Sequence, residues 1–194
     1  MINSRQRGDG MRVFIAIELE DWLKEYIYEK QKDIKRNSIK GNFSRKENFH
    51  LTLRFIGEAD EEEIERIKKA IDRTAETSKP FNMQLGKLGY FPRKNKKIIW
   101  TGISNGQKKL RNLFDILEIN LEKQGFDREE RGLKPHITIA RQVRLKIDFD
   151  NLAEKINIES LNIPVEKISL MESTRVNGKL TYRPIYVKEI NTGS

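Results

Sequence analysis

The chain has 194 residues, with 38 Lys plus Arg against 29 Asp plus Glu, a formal net charge of +9 and no cysteine. That length suits one domain or two small lobes on a shared core, and the lack of cysteine excludes disulfides and thiolate-ligated zinc and fits a reducing cytoplasm. No run of about 18 apolar residues occurs, so no membrane-spanning helix is expected, while the dispersed basic excess serves either a plain solubilising surface or an anionic partner, with RNA or nucleotides first.

Residues 1–10 are polar and Gly/Arg-rich, without the pattern of a signal peptide, and read as a disordered leader, with Met11 an alternative start. A single domain is expected over 11–190, followed by a short tail at 191–194. Residues 12–19 form a β-rich run ending at Leu19, which predicts a strand. Asp21 can cap a helix over 22–36, with Trp22, Leu23, Tyr26, Ile27 and Ile34 on its apolar stripe. A basic polar loop follows, then a strand over 50–56 that stops at Gly57. Asp60, with Glu63 three residues on, opens a second helix that runs to about Thr77, with Ile64, Ile67 and Ile71 at helical spacing and Pro80 as its stop.

Residues 81–88 and 97–103 read as paired strands around a turn at 89–95. A third helix is predicted over 107–124, with Leu110, Leu113, Phe114, Leu117 and Leu121 inward and Gly125 as its end. After Pro135 comes a strand over 136–141, then a short helix over 149–157. Strands over 164–171 and 182–190 close the chain, with a turn at Asn177-Gly178 between them.

Within this order one pattern recurs. The only two histidines each open a tetrapeptide of His, apolar, Thr, apolar: His50-Leu51-Thr52-Leu53 and His136-Ile137-Thr138-Ile139, 86 positions apart. Alternation along a strand puts each imidazole and hydroxyl on one face and the aliphatic pair on the other. Each frame also follows a helix and a basic loop, at similar spacing (28 residues from Trp22 to His50, 26 from Leu110 to His136). Two similar halves could therefore face each other across a pseudo-twofold axis, with both histidine strands lining one cleft.

Two imidazoles on opposite sides of a phosphate can take a proton from a nucleophile and give one to a leaving oxygen near pH 7. The threonine hydroxyls can donate to non-bridging oxygens, and a guanidinium would clamp the charge that develops there. Arg141 is the nearest candidate, but strict alternation turns it away from His136 and Thr138. It reaches the cleft only if the strand ends, twists or bulges near Ala140. Arg54 has the matching parity and is a second candidate. Phe14 lies opposite Val13, Ile15 and Ile17, where it could stack a base or simply pack in the core; Trp100, Tyr90 and Phe91 share that ambiguity. One such tetrapeptide is common, whereas two that use every histidine of a basic chain point to function. No zinc signature, phosphate-binding glycine loop or Ser-His-Asp arrangement is present.

These residues resemble the two-histidine (2H) phosphoesterase superfamily, whose signature is two H-x-[ST]-x motifs, and more closely the RNA 2′,3′-cyclic phosphodiesterases (2′-5′ RNA ligases) of the LigT/ThpR type. The likeness rests on the first strand at 12–19, on 48–57 around His50 and on 134–141 around His136, and it extends over about 11–190. It implies an α+β, bilobal fold, with two antiparallel sheets and flanking helices around a central cleft. It implies hydrolysis of a 2′,3′-cyclic phosphate to a 2′-phosphate without metal or other cofactor. By the same likeness His50 and His136 are catalytic, and Thr52 and Thr138 belong to the motifs. Arg141 contacts the phosphate, Phe14 is associated with the nucleotide, and Arg54 matches no functional position. His50 is assigned as donor to the leaving 3′-oxygen and His136 as base for water. Reverse 2′-5′ ligation would follow from microscopic reversibility. The expected partner is RNA or a nucleotide with a 2′,3′-cyclic phosphate, the expected state a cytoplasmic monomer. Two rivals remain: a non-catalytic nucleotide- or RNA-binding module using the same cleft, and a phosphodiesterase for 2′-5′ oligonucleotides or another small cyclic phosphate.

Overall fold

A computed structural model describes residues 10–191. Apart from Gly10 and Asn191, the leader at 1–10 and the tail at 191–194 lie outside the described residues. The chain runs β1 (Met11–Glu18), α1 (Asp21–Arg36), β2 (Ser38–Phe43), a 3-10 turn (Lys46–Asn48), β3 (His50–Ala59), α2 (Glu61–Thr77), β4 (Phe81–Arg93) and β5 (Lys96–Asn105). It continues with α3 (Gln107–Lys123), β6 (His136–Leu145), α4 (Phe149–Lys155), β7 (Asn162–Val165), β8 (Lys167–Val176) and β9 (Lys179–Glu189). The fold is α+β, as expected. None of the described helices is long and apolar enough to cross a membrane.

Local signals account for most boundaries. Asp60 accepts from the Glu63 N–H while Glu63 reaches back to the Asp60 N–H, a complete capping box that starts α2. Asn177 and Gly178, both at positive φ (50° and 74°), make the tight turn between β8 and β9. Asp21 does not cap α1. It is the helix's first residue, preceded by Glu20, and its charge meets the positive end of the helix dipole. Trp22 also leaves the predicted stripe: it is half exposed, and its Nε1–H donates to Glu20. The basic loop after α1 contains β2, whose six residues (Ser-Ile-Lys-Gly-Asn-Phe) carry no clean alternation. The strand expected at 164–171 is two strands, divided at Glu166.

The sheet departs from the expected pair. All nine strands of the described residues join one sheet in the order β7-β4-β5-β6-β3-β1-β8-β9, with β2 also on β6. The join between halves is slight: β3 and β6 meet through one pair, Leu51 and Ile137. Beyond it β6 pairs with β2 instead. The sheet therefore opens into two wings that diverge from this seam, and a cleft lies between them. Strand order reads alike outward from the seam, a motif strand and then three more on each side. The wings are not chain-wise repeats, because β8 and β9 come from the C-terminal end.

One face of the sheet, with the helices against it, holds the main core: Val13, Ile15 and Ile17 of β1, Leu51 and Leu53, Ile137 and Ile139, and the inward faces of α1, α2 and α3. The other face of β1 holds a small separate cluster of Phe14, Ala16 and Met171, with Tyr182 against it.

Candidate active site

The seam sets the positions of both motifs. With Leu51 opposite Ile137 in an antiparallel pair, His50 falls beside Thr138 and Thr52 beside His136, so the two histidines occupy the diagonal. Diagonal neighbours in such a ladder stand about 7–8 Å apart, a span that one phosphate fills. All four residues line a single hollow with Phe14, Ser44, Asn48, Phe55, Arg141 and Tyr182. Its volume is about 90 Å³. Sites that enclose a whole small ligand run to roughly 300 Å³ or more, so this hollow suits a phosphate-sized group, with the rest of any ligand outside it.

Each imidazole is held by the same device. His50 Nδ1–H donates to the Asn48 carbonyl (2.7 Å) and His136 Nδ1–H to the Lys134 carbonyl (2.6 Å). A carbonyl can only accept, so the neutral ring carries its proton on Nδ1 and turns the Nε2 lone pair to the cleft. The Thr52 hydroxyl donates to that nitrogen of His50 at 2.9 Å. Asn48 is buried and tied to β9, donating to the Leu180 carbonyl and accepting from the Tyr182 N–H.

The histidines differ in their surroundings. Phe14 (ring centroid 4.7 Å) and Tyr182 (5.1 Å, edge-on) pack His50. Burial pushes its pKa from 6.5 down to about 4, and the charges of Arg141 and His136 add to the drop. His136 has Phe91 edge-on at 5.0 Å and lies next to a wider groove. Burial, and then Arg141, lower its pKa too.

Arg141 reaches the cleft through a bulge. Ile99 pairs with Ala140 but Trp100 with Thr138, so β6 carries one extra residue there. Ile139 and Ala140 are both buried, and alternation restarts one residue late. The freed backbone is stapled by Gln31 of α1, whose Nε2 donates to the Ile139 and Ser44 carbonyls (2.9 and 2.8 Å), and by the Ser44 N–H, which donates to Ile139. Among the described residues Arg141 has no carboxylate partner.

Strand β3 bulges at the same offset. Ile15 pairs with Arg54 but Ala16 with Thr52. Arg54 therefore turns from the cleft, and Phe55 takes the position equivalent to Arg141. Arg54 instead meets buried Glu118 of α3 (Nε to Oε1, 3.1 Å) and Glu129 (3.2 Å), and donates to the Asp127 carbonyl. The Glu118 contact is an ion pair without hydrogen-bond alignment. Arg54→Ala would strand the buried Glu118 charge, and a loss of about 3–5 kcal/mol in unfolding free energy is expected, read from the urea midpoint.

Phe14 reaches the site, but it is only 2% exposed, and its ring backs His50 and stacks with Phe55 (6.3 Å). It walls the site more than it offers a free face. Trp100 lies flat over Gly89, where a Cβ would sit 2.1 Å from the indole, and contacts Phe91. Tyr90 packs on Phe149, away from the histidines. Sequence reasoning missed Ser44, Asn48, Phe55 and Tyr182. Phe55 could have been found by testing the His50 strand for the bulge considered for Arg141, while Tyr182 arrives from a distant hairpin with no local signal. No group of three or more His, Asp or Glu side chains suited to a metal occurs among the described residues.

Comparison with known proteins gives a consistent picture. Residues 28–177 match the family described as the 2′-5′ RNA ligase superfamily. A Thermotoga maritima protein named RNA 2′,3′-cyclic phosphodiesterase is 29% identical over 184 residues, 94% of this chain and 97% of that protein. One of the same name from Methanocaldococcus jannaschii is 36% identical, over 68% of this chain and 71% of its own length. Escherichia coli LigT complexed with 3′-AMP superposes with a TM-score of 0.76 at 22% identity, covering 94% of this chain and 99% of LigT. A Thermus thermophilus structure gives 0.75 at 24% identity, covering 93% and 98%.

Proposed function

The chain belongs to the 2′-5′ RNA ligase superfamily, and from that premise we propose that it is an RNA 2′,3′-cyclic phosphodiesterase that opens cyclic ends to 2′-phosphates with His50 and His136 as its acid–base pair. The observation that carries this reading is one phosphate-sized hollow lined by both imidazoles, both motif threonines and an arginine without a carboxylate partner.

The chemistry follows from the surroundings. In this reading the nucleoside sits toward Tyr182, and His50 Nε2 protonates the 3′-oxygen as its bond to phosphorus breaks. Water enters from the open side and gives its proton to His136 Nε2 as its oxygen attacks in line. Arg141 holds the non-bridging oxygens with a permanent charge, and Thr138 and Thr52 donate to them as negative charge grows. Two imidazoles and one guanidinium supply every proton and charge the step requires. Both histidines come from one chain, so a monomer suffices. The test is incubation of the protein with cyclic-ended RNA in EDTA: a 2′-phosphate product is expected, whereas binding without conversion would leave only a nucleotide-binding module.

The lowered pKa values give a pH prediction. His50 at about 4 and His136 below its usual value are both neutral in the free protein at pH 7. One must be protonated to act as acid, so kcat/KM should peak below neutrality and fall as pH rises. The bound phosphate attracts protons to both rings and moves the kcat profile to higher pH. Coincident profiles for kcat and kcat/KM would contradict this. The same shifts bear on stability: between pH 6.5 and about 4 the unfolded chain binds more protons at His50, so stability falls as the solution is acidified through that window.

A further inference from the structure

Both histidines rest on the carbonyl two residues before them, but the residues that supply those carbonyls are unlike. Lys134, before His136, is exposed, and its side chain makes no hydrogen bond among the described residues. Asn48, before His50, is buried, and every polar group it has is engaged. Its carbonyl takes the His50 Nδ1–H at 2.7 Å, and its N–H donates to the Arg45 carbonyl at 3.0 Å. Its side-chain amide crosses to β9, where Nδ2 donates to the Leu180 carbonyl (3.0 Å) and Oδ1 accepts from the Tyr182 N–H (3.1 Å).

That amide stands in for a strand. Strand β9 is the last of the sheet and has β8 as its only strand partner. A carbonyl and an N–H two residues apart on one edge are the pair that a further antiparallel strand would take, and Asn48 takes both. The only other hydrogen bond between this turn and β9 among the described residues is an exposed one at 3.4 Å, from Arg45 Nη1 to the Thr181 hydroxyl. Phe49, next in the chain, is 1% exposed and fixes the turn in the core. Tyr182 is thus delivered edge-on to His50 (5.1 Å) and Phe14 (5.0 Å).

We propose that the side-chain amide of Asn48 is a positioning group for His50: it pins the β8–β9 hairpin to the turn before the first motif, so that Tyr182 shields the ring from water while the carbonyl of the same residue fixes the Nδ1 proton. One residue thereby sets both the orientation and the solvation of this imidazole, and the second motif has no counterpart. The catalytic consequence rests on the proposed function; the structural link does not. Arg141 and His136 of β6 are the charged and titratable groups acting on the His50 ring. The Tyr182 phenol faces it from β9, and β1 presents only Phe14. None of these charges changes when Asn48 does, so a change in His50 titration reports the shield.

The test uses Asn48→Ala in the full chain, with Asn48→Ser, which keeps a polar atom but cannot bond both groups of β9, as a second variant; circular dichroism checks folding. Exchange of the Tyr182 amide hydrogen should quicken by about tenfold or more. In the His136→Ala background only one histidine remains, and its NMR titration midpoint should rise from about 4 toward 6.5, by at least about one pH unit. On 2′,3′-cyclic AMP, kcat should fall about tenfold in the otherwise wild-type protein, as expected for a misplaced group. It should fall by less than about twofold in the His50→Ala background, because the amide acts through that ring. An unmoved His50 midpoint would overturn the inference, even with faster exchange at Tyr182. So would equal losses of kcat in both backgrounds, which would make Asn48 a support of the fold alone. A wild-type protein that does not hydrolyse cyclic AMP removes the proposed function, and the titration and exchange still decide whether Asn48 governs His50.

Discussion

His50→Ala and His136→Ala are each expected to lower kcat/KM on a 2′,3′-cyclic phosphate end by about 10³-fold, within the range of a positioned acid or base. The argument is geometric. One ring must be protonated and the other free at the same phosphate, and the chain has no third histidine to substitute. The Nδ1 bonds to Asn48 and Lys134 hold both rings with Nε2 toward the hollow, so truncation removes a placed proton carrier. Because the pair acts on one transition state, the double variant should lose little more than either single variant. The fold should survive, since His136 borders open space and His50 packs against a small aromatic cluster outside the main core. Steady-state kinetics with circular dichroism reads both quantities, and full activity in either variant would refute the mechanism.

Arg141→Gln is expected to cost about 10²–10³ in kcat with little change in stability, the scale seen when a transition-state charge loses a fixed donor. Its guanidinium faces the hollow without a competing carboxylate, so its charge is reserved for the ligand. Glutamine keeps donors but not the charge or the paired geometry. Lysine restores charge without the planar fork, so Arg141→Lys should recover part of the loss. Arg54→Gln provides the contrast: it should unfold more readily through Glu118 while leaving the chemistry of the folded fraction intact. Equal kinetic loss in Arg141 and Arg54 variants would mean that charge at a distance, rather than contact, is what matters.

The proposed catalytic pair was legible in the chain because each motif is local. His-x-Thr-x on a strand turns imidazole and hydroxyl together whatever the partner strand, and its recurrence with every histidine of the chain singled it out. The helices were legible for the same reason: Ile64, Ile67 and Ile71, or Leu110, Leu113 and Leu117, repeat at a period that only a helix buries, and all six are buried. Strand β2 was not, because Ser38 to Phe43 pairs with β6 only along its irregular half and lacks an alternating apolar face.

The two tetrapeptides thus singled out the paired histidines, and the family resemblance they carry implied the α+β fold and the class of chemistry. Tertiary structure decided which arginine lines the hollow with them. The matched bulges in β3 and β6 reverse alternation after the fourth motif residue, sending Arg54 to Glu118 and bringing Arg141 into the cleft. A bulge depends on what the partner strands and Gln31 do with the freed carbonyls; that is a contact between distant segments, and no local pattern of residues encodes it. The single Leu51–Ile137 pair that joins the two wings is of the same kind: it couples residues 86 positions apart, and the hollow between the rings exists only where that pair forms.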